Sequence, residues 1–342
     1  MPNNKVFIIG GVEVPKGKSQ RIDIELPSFY GSSSYLRTYV IRGKKKGPTL
    51  FISAAIHGDE LNGIEIIRRL RKLSLIKRIR GNLILIPIVN NYGVQNLSRY
   101  LPDRRDLNRS FPGSAKGALA SRVADTFYQE IVSKCDLGID LHTASIHKDN
   151  LPQIRANLED ENTLNLAKSF AAPVILHSKL RDGSLRACAE DKDIPVLLYE
   201  AGEALRLDER SIKIGVRGIV NILRHVDMLP EGSKKGPKKP PVITKSSSWI
   251  RASESGMVQT LKGLGDVVQK GEVLAKIFDL VDENSYDVSA RFDGIIIGKT
   301  QIPLAHEGDA LFHIAAFENL DIAEERLEDY QEMNENILSE NL

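Results

Sequence analysis

The sequence predicts an α/β fold with a largely parallel sheet, followed by a small all-β domain. Three observations carry that expectation. Short, almost wholly apolar runs alternate with segments of helical periodicity as far as residue 226, a stretch rich in Pro and Lys then breaks both patterns, and glycine-punctuated β-like runs follow it. In open parallel sheets the site lies beyond the carboxyl ends of the strands, and His57, Asn90, His142 and Glu200 each come just after such a run.

Residues 21–42 alternate apolar and polar side chains through Ile22, Ile24, Leu26 and then Leu36, Thr38, Val40, which predicts two paired strands joined across 27–34. Residues 49–56 form an apolar run of the kind covered on both faces. A helix is predicted over 61–73, where Leu61, Ile64, Ile67, Leu70 and Leu73 recur at helical spacing. A second apolar strand over 83–89 is stopped by Asn90 and Asn91. Residues 95–116 are polar and aperiodic, longer than a plain connection needs, so this loop is expected to be functional. Helical spacing returns over 121–135, and a third strand over 137–141 ends at His142. Further on, 163–171 reads as a helix, 173–177 and 195–199 as short strands, and 209–226 as a long helix. The α/β domain is thus expected to span 1–229. Residues 230–241, with four prolines, four lysines and two glycines, read as a linker. Residues 242–317 read as the all-β domain, and 318–342, with nine acidic residues against Arg326 alone, as an acidic tail that forms a solvated helix or frays.

At 342 residues and 38.0 kDa the chain is long enough for two domains. Its 47 basic and 45 acidic side chains leave a net charge of +2, which argues against nucleic-acid binding by bulk charge. Two cysteines, Cys135 and Cys188, are too few for a disulfide framework or a four-thiolate zinc site and are expected to be buried in a reducing compartment. The first twenty residues hold only the short apolar run Val6 to Ile9 and lack the pattern of a secretory signal. No run of 18 apolar residues predicts a membrane span. A cytoplasmic protein is expected, with no membrane or nucleic-acid partner, and the sequence is compatible with a homo-oligomer.

Two motifs at strand ends carry metal-binding chemistry. His57-Gly58-Asp59-Glu60 places an imidazole and a carboxylate three residues apart on a turn, and Asp140-Leu141-His142-Thr143 supplies a second imidazole 82 residues after Glu60. A catalytic zinc takes three such protein ligands and leaves a position open. Asp140 shares a strand face with His142 and is placed to accept the proton of its second ring nitrogen. In the long loop, Asp106-Leu107-Asn108-Arg109 offers a guanidinium fork and an amide suited to a substrate carboxylate. Tyr199-Glu200-Ala201-Gly202-Glu203 offers a carboxylate as general base, with Glu200 favoured over Glu203 because it directly follows the strand.

These motifs, in this order and at these spacings, resemble the succinylglutamate desuccinylase/aspartoacylase family of the zinc carboxypeptidase superfamily, over about residues 20–228. The resemblance implies a carboxypeptidase-like fold, a mixed sheet flanked by helices. It also implies one Zn2+ per chain held by His57, Glu60 and His142, Glu200 as general base and then acid, and Asn108 and Arg109 binding a substrate carboxylate. The family's carbonyl-polarising arginine has three contenders here, Arg99, Arg104 and Arg105, and Arg99 is favoured because Arg99-Tyr100 and the short spacer after it resemble the family pattern. The implied activity is that of a zinc-dependent amidohydrolase, a deacylase acting on a small-molecule N-acyl amino acid or related amine. Two rivals are a carboxypeptidase acting on peptide C-termini and a non-catalytic metal- or ligand-binding protein.

Within 242–317, Gly256-Met257-Val258, the run from Gly265 to Leu274 and Ala290-Arg291-Phe292-Asp293-Gly294 resemble the barrel of biotinyl and lipoyl carrier domains. The position of the carrier lysine, about seven residues before Ala290, is filled by Glu283, with Asp282 and Asn284 on either side. A barrel that shapes or covers the active site is therefore expected rather than a swinging arm.

Overall fold

The computed structural model describes residues 6–29, 31–232, 240–281, 284–317 and 319–328. After a short antiparallel pair at Ile8–Ile9 and Val12–Glu13, strands β1 (Ser19–Phe29) and β2 (Ser32–Arg42) form the first hairpin of the large sheet, running in register from Ser19 opposite Ile41 to Leu26 opposite Ser34. Both strands extend into the expected 27–34 loop, with a register shift between Leu26 and Phe29 that accommodates Pro27. There follow β3 (Thr49–Ala54), α1 (Asn62–Lys72), β4 (Asn82–Ile86), α2 (Leu119–Glu130), β5 (Leu137–Ala144), β6 (Lys148–Ala156), α3 (Glu161–Phe170), β7 (Val174–His177), α4 (Leu185–Glu190), β8 (Val196–Glu203) and α5 (Glu209–His225). The expected helix over 121–135 ends at Glu130 and passes into a tighter turn at Val132–Lys134. The stretch 95–116 is irregular apart from one short turn at Leu107–Arg109.

The strand order is β1-β2-β4-β3-β5-β8-β6, with β7 also paired to β6. The centre, β4-β3-β5-β8, is parallel, β2 and β6 flank it antiparallel, and β7 runs parallel to β6, so the sheet is mixed, as the family resemblance implies, rather than largely parallel as the alternation alone suggests. β8 is inserted between β5 and β6, which are consecutive in the chain. β6 and α4 went unpredicted. β6 contains Pro152, normally a bar to a central strand. Along the edge facing β7 and the C-terminal strands the pairing covers 148–150 and 153–156, so the missing N–H of Pro152 falls in the gap between them.

Alternation along the strands builds two cores. On one face Ile52, Ile139, Leu141, Leu197 and Tyr199 pack against Ile66, Ile67 and Leu70 of α1, Phe170 of α3 and Ile219 and Leu223 of α5. On the other, Phe51, Ile84 and Ile86 pack against Val123 and Phe127 of α2 and Leu185 and Ala189 of α4. Cys135 and Cys188 are buried in this second core as free thiols.

Beyond residue 240 the structure is β throughout up to Ala316: β9 (Val242–Thr244), β10 (Ser247–Arg251), β11 (Gly256–Thr260), β12 (Val267–Val268), β13 (Val273–Phe278), β14 (Ser285–Ser289), β15 (Gly294–Thr300), β16 (Leu304–Ala305) and β17 (Ala310–Ala316). Four of these form a separate antiparallel sheet, β14-β13-β11-β16. The run β10-β17-β15 instead continues the large sheet, because Gly298, Lys299 and Thr300 pair with Asn150, Asp149 and Lys148 of β6. Ile250, Val258, Leu274, Ile277, Ile296, Phe312 and Ile314 fill the space between the two sheets. Asp282 and Glu283 lie outside the described residues, as does most of the acidic tail. Residues 320–328 are helical, and Ala323 and Leu327 are buried beside Val174 and Ile295. Among the described residues no helix is long and apolar enough to cross a membrane.

Gly138 shows how tightly the second core is set. A Cβ there would lie 2.1 Å from Cζ of the buried Phe51 ring. Gly138→Ala should lower stability by about 1–3 kcal/mol, read as a lower urea midpoint at unchanged slope. An unchanged midpoint would mean that Phe51 can move aside freely.

Candidate active site

On the face of the second core the apolar series gives way to polar side chains toward the carboxyl ends of the central strands. Phe51 is followed by Ser53 on β3, Gly138 by Asp140 and His142 on β5, and Leu198 by Glu200 on β8. After β3, Ala55 takes a positive φ of 51° and turns the chain into His57-Gly58-Asp59-Glu60. Gly58 is required by a close approach, since a Cβ would stand 2.0 Å from the carbonyl carbon of Gly93.

Glu60 is the hub. Its Oε1 lies 2.6 Å from His57 Nδ1 and its Oε2 lies 2.7 Å from His142 Nδ1. The Thr143 amide donates to Oε2 at 3.1 Å and Arg99 Nη1 to Oε1 at 3.3 Å. All three proposed ligands are buried, and their candidate donor atoms lie within 4.8 Å of one another. The outer ring nitrogens are backed by carboxylates: His142 Nε2 by Asp140 Oδ2 at 2.7 Å, and His57 Nε2 by Asp106 Oδ1 at 3.1 Å. Asp140 in turn accepts from Ser53 Oγ at 2.7 Å.

Burial opposes charge on either imidazole, yet Glu60 and Asp106 raise the pKa of His57 overall, and Asp140 and Glu60 raise that of His142 well above its usual value. Burial likewise opposes charge on Glu60, but the two histidines hold its carboxyl far below the ordinary range. Asp106 is held low against its own burial by His57 and Arg99. With the imidazoles neutral, the form in which they bind a metal, three carboxylates face Arg99 alone, so the cluster calls for further positive charge at its centre. This donor set, with both inner nitrogens facing one carboxylate and both outer nitrogens backed, fits zinc.

Among the three competing arginines, Arg99 reaches the cluster and also donates to Asp106 Oδ2 at 3.0 Å, whereas Arg104 and Arg105 are exposed and do not line the cavity. Asn108 and Arg109 line the cavity; Asn108 Oδ1 accepts from the Leu185 amide at 2.9 Å, and Arg109 donates to the Asn108 carbonyl. Glu200 sits within β8 rather than after it, opposite His142, and lines the same cavity. Glu203 instead accepts from the His147 amide at 3.0 Å and is not part of the lining. Asn90 is buried, and its side chain accepts from the Gly93 amide to cap a helical turn at Asn91–Gln95.

The cavity holds about 470 Å3. Its walls contain residues the sequence did not single out: Lys148 and Arg155 from β6, Arg186 from α4 and Trp249 from β10. Trp249 stacks on the ring of His313, centroids 4.7 Å apart, and Lys148 Nζ lies 5.0 Å from the Trp249 ring. The C-terminal strands therefore supply part of the wall. Asp106 was visible in its motif, but its partnership with His57 was not, because nothing in the spacing brings residues 49 apart together.

A model of the succinylglutamate desuccinylase/aspartoacylase catalytic domain matches residues 46–226. N-alpha-acetyl-L-2,4-diaminobutyric acid deacetylase of Halomonas elongata is 28% identical over 301 residues, covering 84% of this chain and 87% of that protein. A succinylglutamate desuccinylase/aspartoacylase structure from Rhodobacter sphaeroides superposes with a TM-score of 0.78 at 25% identity, over 87% of this chain and 96% of that one. The product-bound ectoine utilisation protein EutE of Ruegeria pomeroyi shares the fold with the same TM-score at 24% identity, over 87% and 95% of the two chains. With its catalytic-domain match spanning more than half its length, this chain belongs to the succinylglutamate desuccinylase/aspartoacylase family of amide-bond hydrolases.

Proposed function

We propose that the protein is a zinc-dependent deacylase that removes an acyl group from the nitrogen of an N-acyl amino acid or related small amine. One observation carries the reading: the His57-Glu60-His142 cluster, Glu200, Arg99, Asn108 and Arg109 border a single cavity of about 470 Å3. The deacetylase relative from Halomonas elongata supports an acetylated amino acid as the first substrate to test.

His57 and His142, through Nδ1, and Glu60 would hold the zinc, with Asp106 and Asp140 fixing the tautomers of the two imidazoles. Zinc bound there supplies Lewis acidity, which makes water nucleophilic near neutral pH and polarises an amide carbonyl. Glu200 takes the proton of the attacking water and returns it to the departing nitrogen. Arg99, with its guanidinium anchored on Asp106, stands beside the scissile carbonyl and stabilises the negative charge that develops on its oxygen. Asn108 and Arg109 hold the substrate carboxylate, which fixes the amide between cluster and base.

Metal content gives the first test. The purified protein should carry about one zinc per chain. His57→Ala or His142→Ala should remove it, and Asp140→Asn should weaken zinc affinity by about 10–100-fold while keeping the ligand. Full occupancy in both histidine variants would show that other residues bind the metal.

A second test separates base from ligand. Glu200→Gln should keep its zinc and lose at least about a hundredfold in kcat on N-acetyl amino acids. A variant that keeps its kcat would remove Glu200 from the base role.

A further inference from the structure

We propose that Arg155 is the positioning residue for Glu200, holding the general base in place from the neighbouring strand. The inference rests on the assignment of Glu200 as base.

Leu198 pairs with Arg155 and Glu200 with Gln153, so Arg155 and Glu200 stand diagonally on one face of the β8-β6 ladder. Long side chains span that diagonal. Arg155 Nε lies 2.6 Å from Glu200 Oε2, and both side chains are about one-fifth exposed, toward the cavity that they line. The two facing atoms are themselves sealed from solvent, and neither makes a hydrogen bond of normal angle. Glu200 is thus tethered by an ion pair from the neighbouring strand.

Four of the five other lysine and arginine side chains of the cavity are engaged elsewhere, Arg181 being the fifth. Arg99 is spent on Glu60 and Asp106, Arg109 on the Asn108 carbonyl, and Arg186 on the Ser178 hydroxyl and the Ser178 and Lys179 carbonyls. Lys148 lies over the Trp249 ring. Among the described residues Arg155 is the one cation within ion-pair distance of Glu200. A glutamate has three rotatable bonds, and a base that must meet its proton at hydrogen-bond distance loses rate when left to wander among rotamers. Catalytic bases are commonly oriented by a third group, and here the strand register supplies it.

Buried His313 of β17 has its pKa pushed down to about 3, by burial first and then by Arg155 and Lys148, so its ring is uncharged at neutral pH.

The test uses the full-length, zinc-loaded enzyme with N-acetyl amino acids. Arg155→Met should keep zinc content and KM within about threefold and lower kcat by at least about tenfold, the scale of a lost charge-assisted contact. Arg155→Lys, which keeps a cation but not the Nε geometry, should recover part of that loss. In the Glu200→Gln background Arg155→Met should add no further loss, because two residues acting through one step are not additive. A kcat for Arg155→Met within about twofold of the parent, a loss in KM rather than kcat, or a full additional loss in the Glu200→Gln background would each overturn the proposal. If Arg155→Met does not fold, the Arg155→Lys variant and its combination with Glu200→Gln decide by the same additivity criterion. A Glu200→Gln enzyme of unchanged kcat would instead sink the base assignment itself, which separates the two failures.

Discussion

A carboxylate that is almost wholly removed from water has to be answered by positive charge, and Glu60 is such a group. Both of its oxygens face imidazole nitrogens, one from the turn after β3 and one from β5, so the two strands must keep their parallel register for the cluster to exist. The same register sets Asp140 opposite Ser53, and the Ser53 hydroxyl donates to Asp140. A slip of one residue would turn His142 into the helix-covered core and bring Leu141 to the cluster. The packing of the sheet and the chemistry of the cavity are therefore one constraint met twice.

Much of this could be read from sequence because the chemistry-bearing residues sit where local pattern is strongest. His57, Glu60, His142 and Glu200 follow or end short apolar runs, and such runs identify themselves. Arg99, Asn108 and Arg109 fell in a stretch too long and too polar for a plain connection. What could not be read depends on pairings between distant strands. β6 was hidden by Pro152 and by a weak alternation, and with it went Lys148 and Arg155. Alternation alone also left the sheet largely parallel, and its mixed character was legible through the family resemblance, since antiparallel β6 lies beside β8 although it follows β5 in the chain. Trp249 gave no signal of its own, because a lone aromatic in a β-rich segment is ordinarily core.

The lining of the cavity is shared between two kinds of element. Residues on the central strands and the turns after them are rigidly set by the sheet, whereas Arg99, Asn108 and Arg109 come from an irregular loop anchored at a few points. Those anchors are specific: Asp106 caps the turn at Leu107–Arg109 by accepting from the Asn108 amide, and Asn108 holds the start of α4 through the Leu185 amide. The loop thus borrows its shape from the cluster on one side and from α4 on the other.

The pairing of Gly298 to Thr300 with Asn150 to Lys148 has a further meaning for the solution behaviour of the molecule. Left uncovered, that stretch of β6 would present unpaired amides and carbonyls at the rim of a large sheet, an invitation to strand exchange with another copy. The C-terminal strands close the rim. A chain interrupted before them would carry an adhesive border prone to aggregation, besides losing the Trp249 part of the cavity wall.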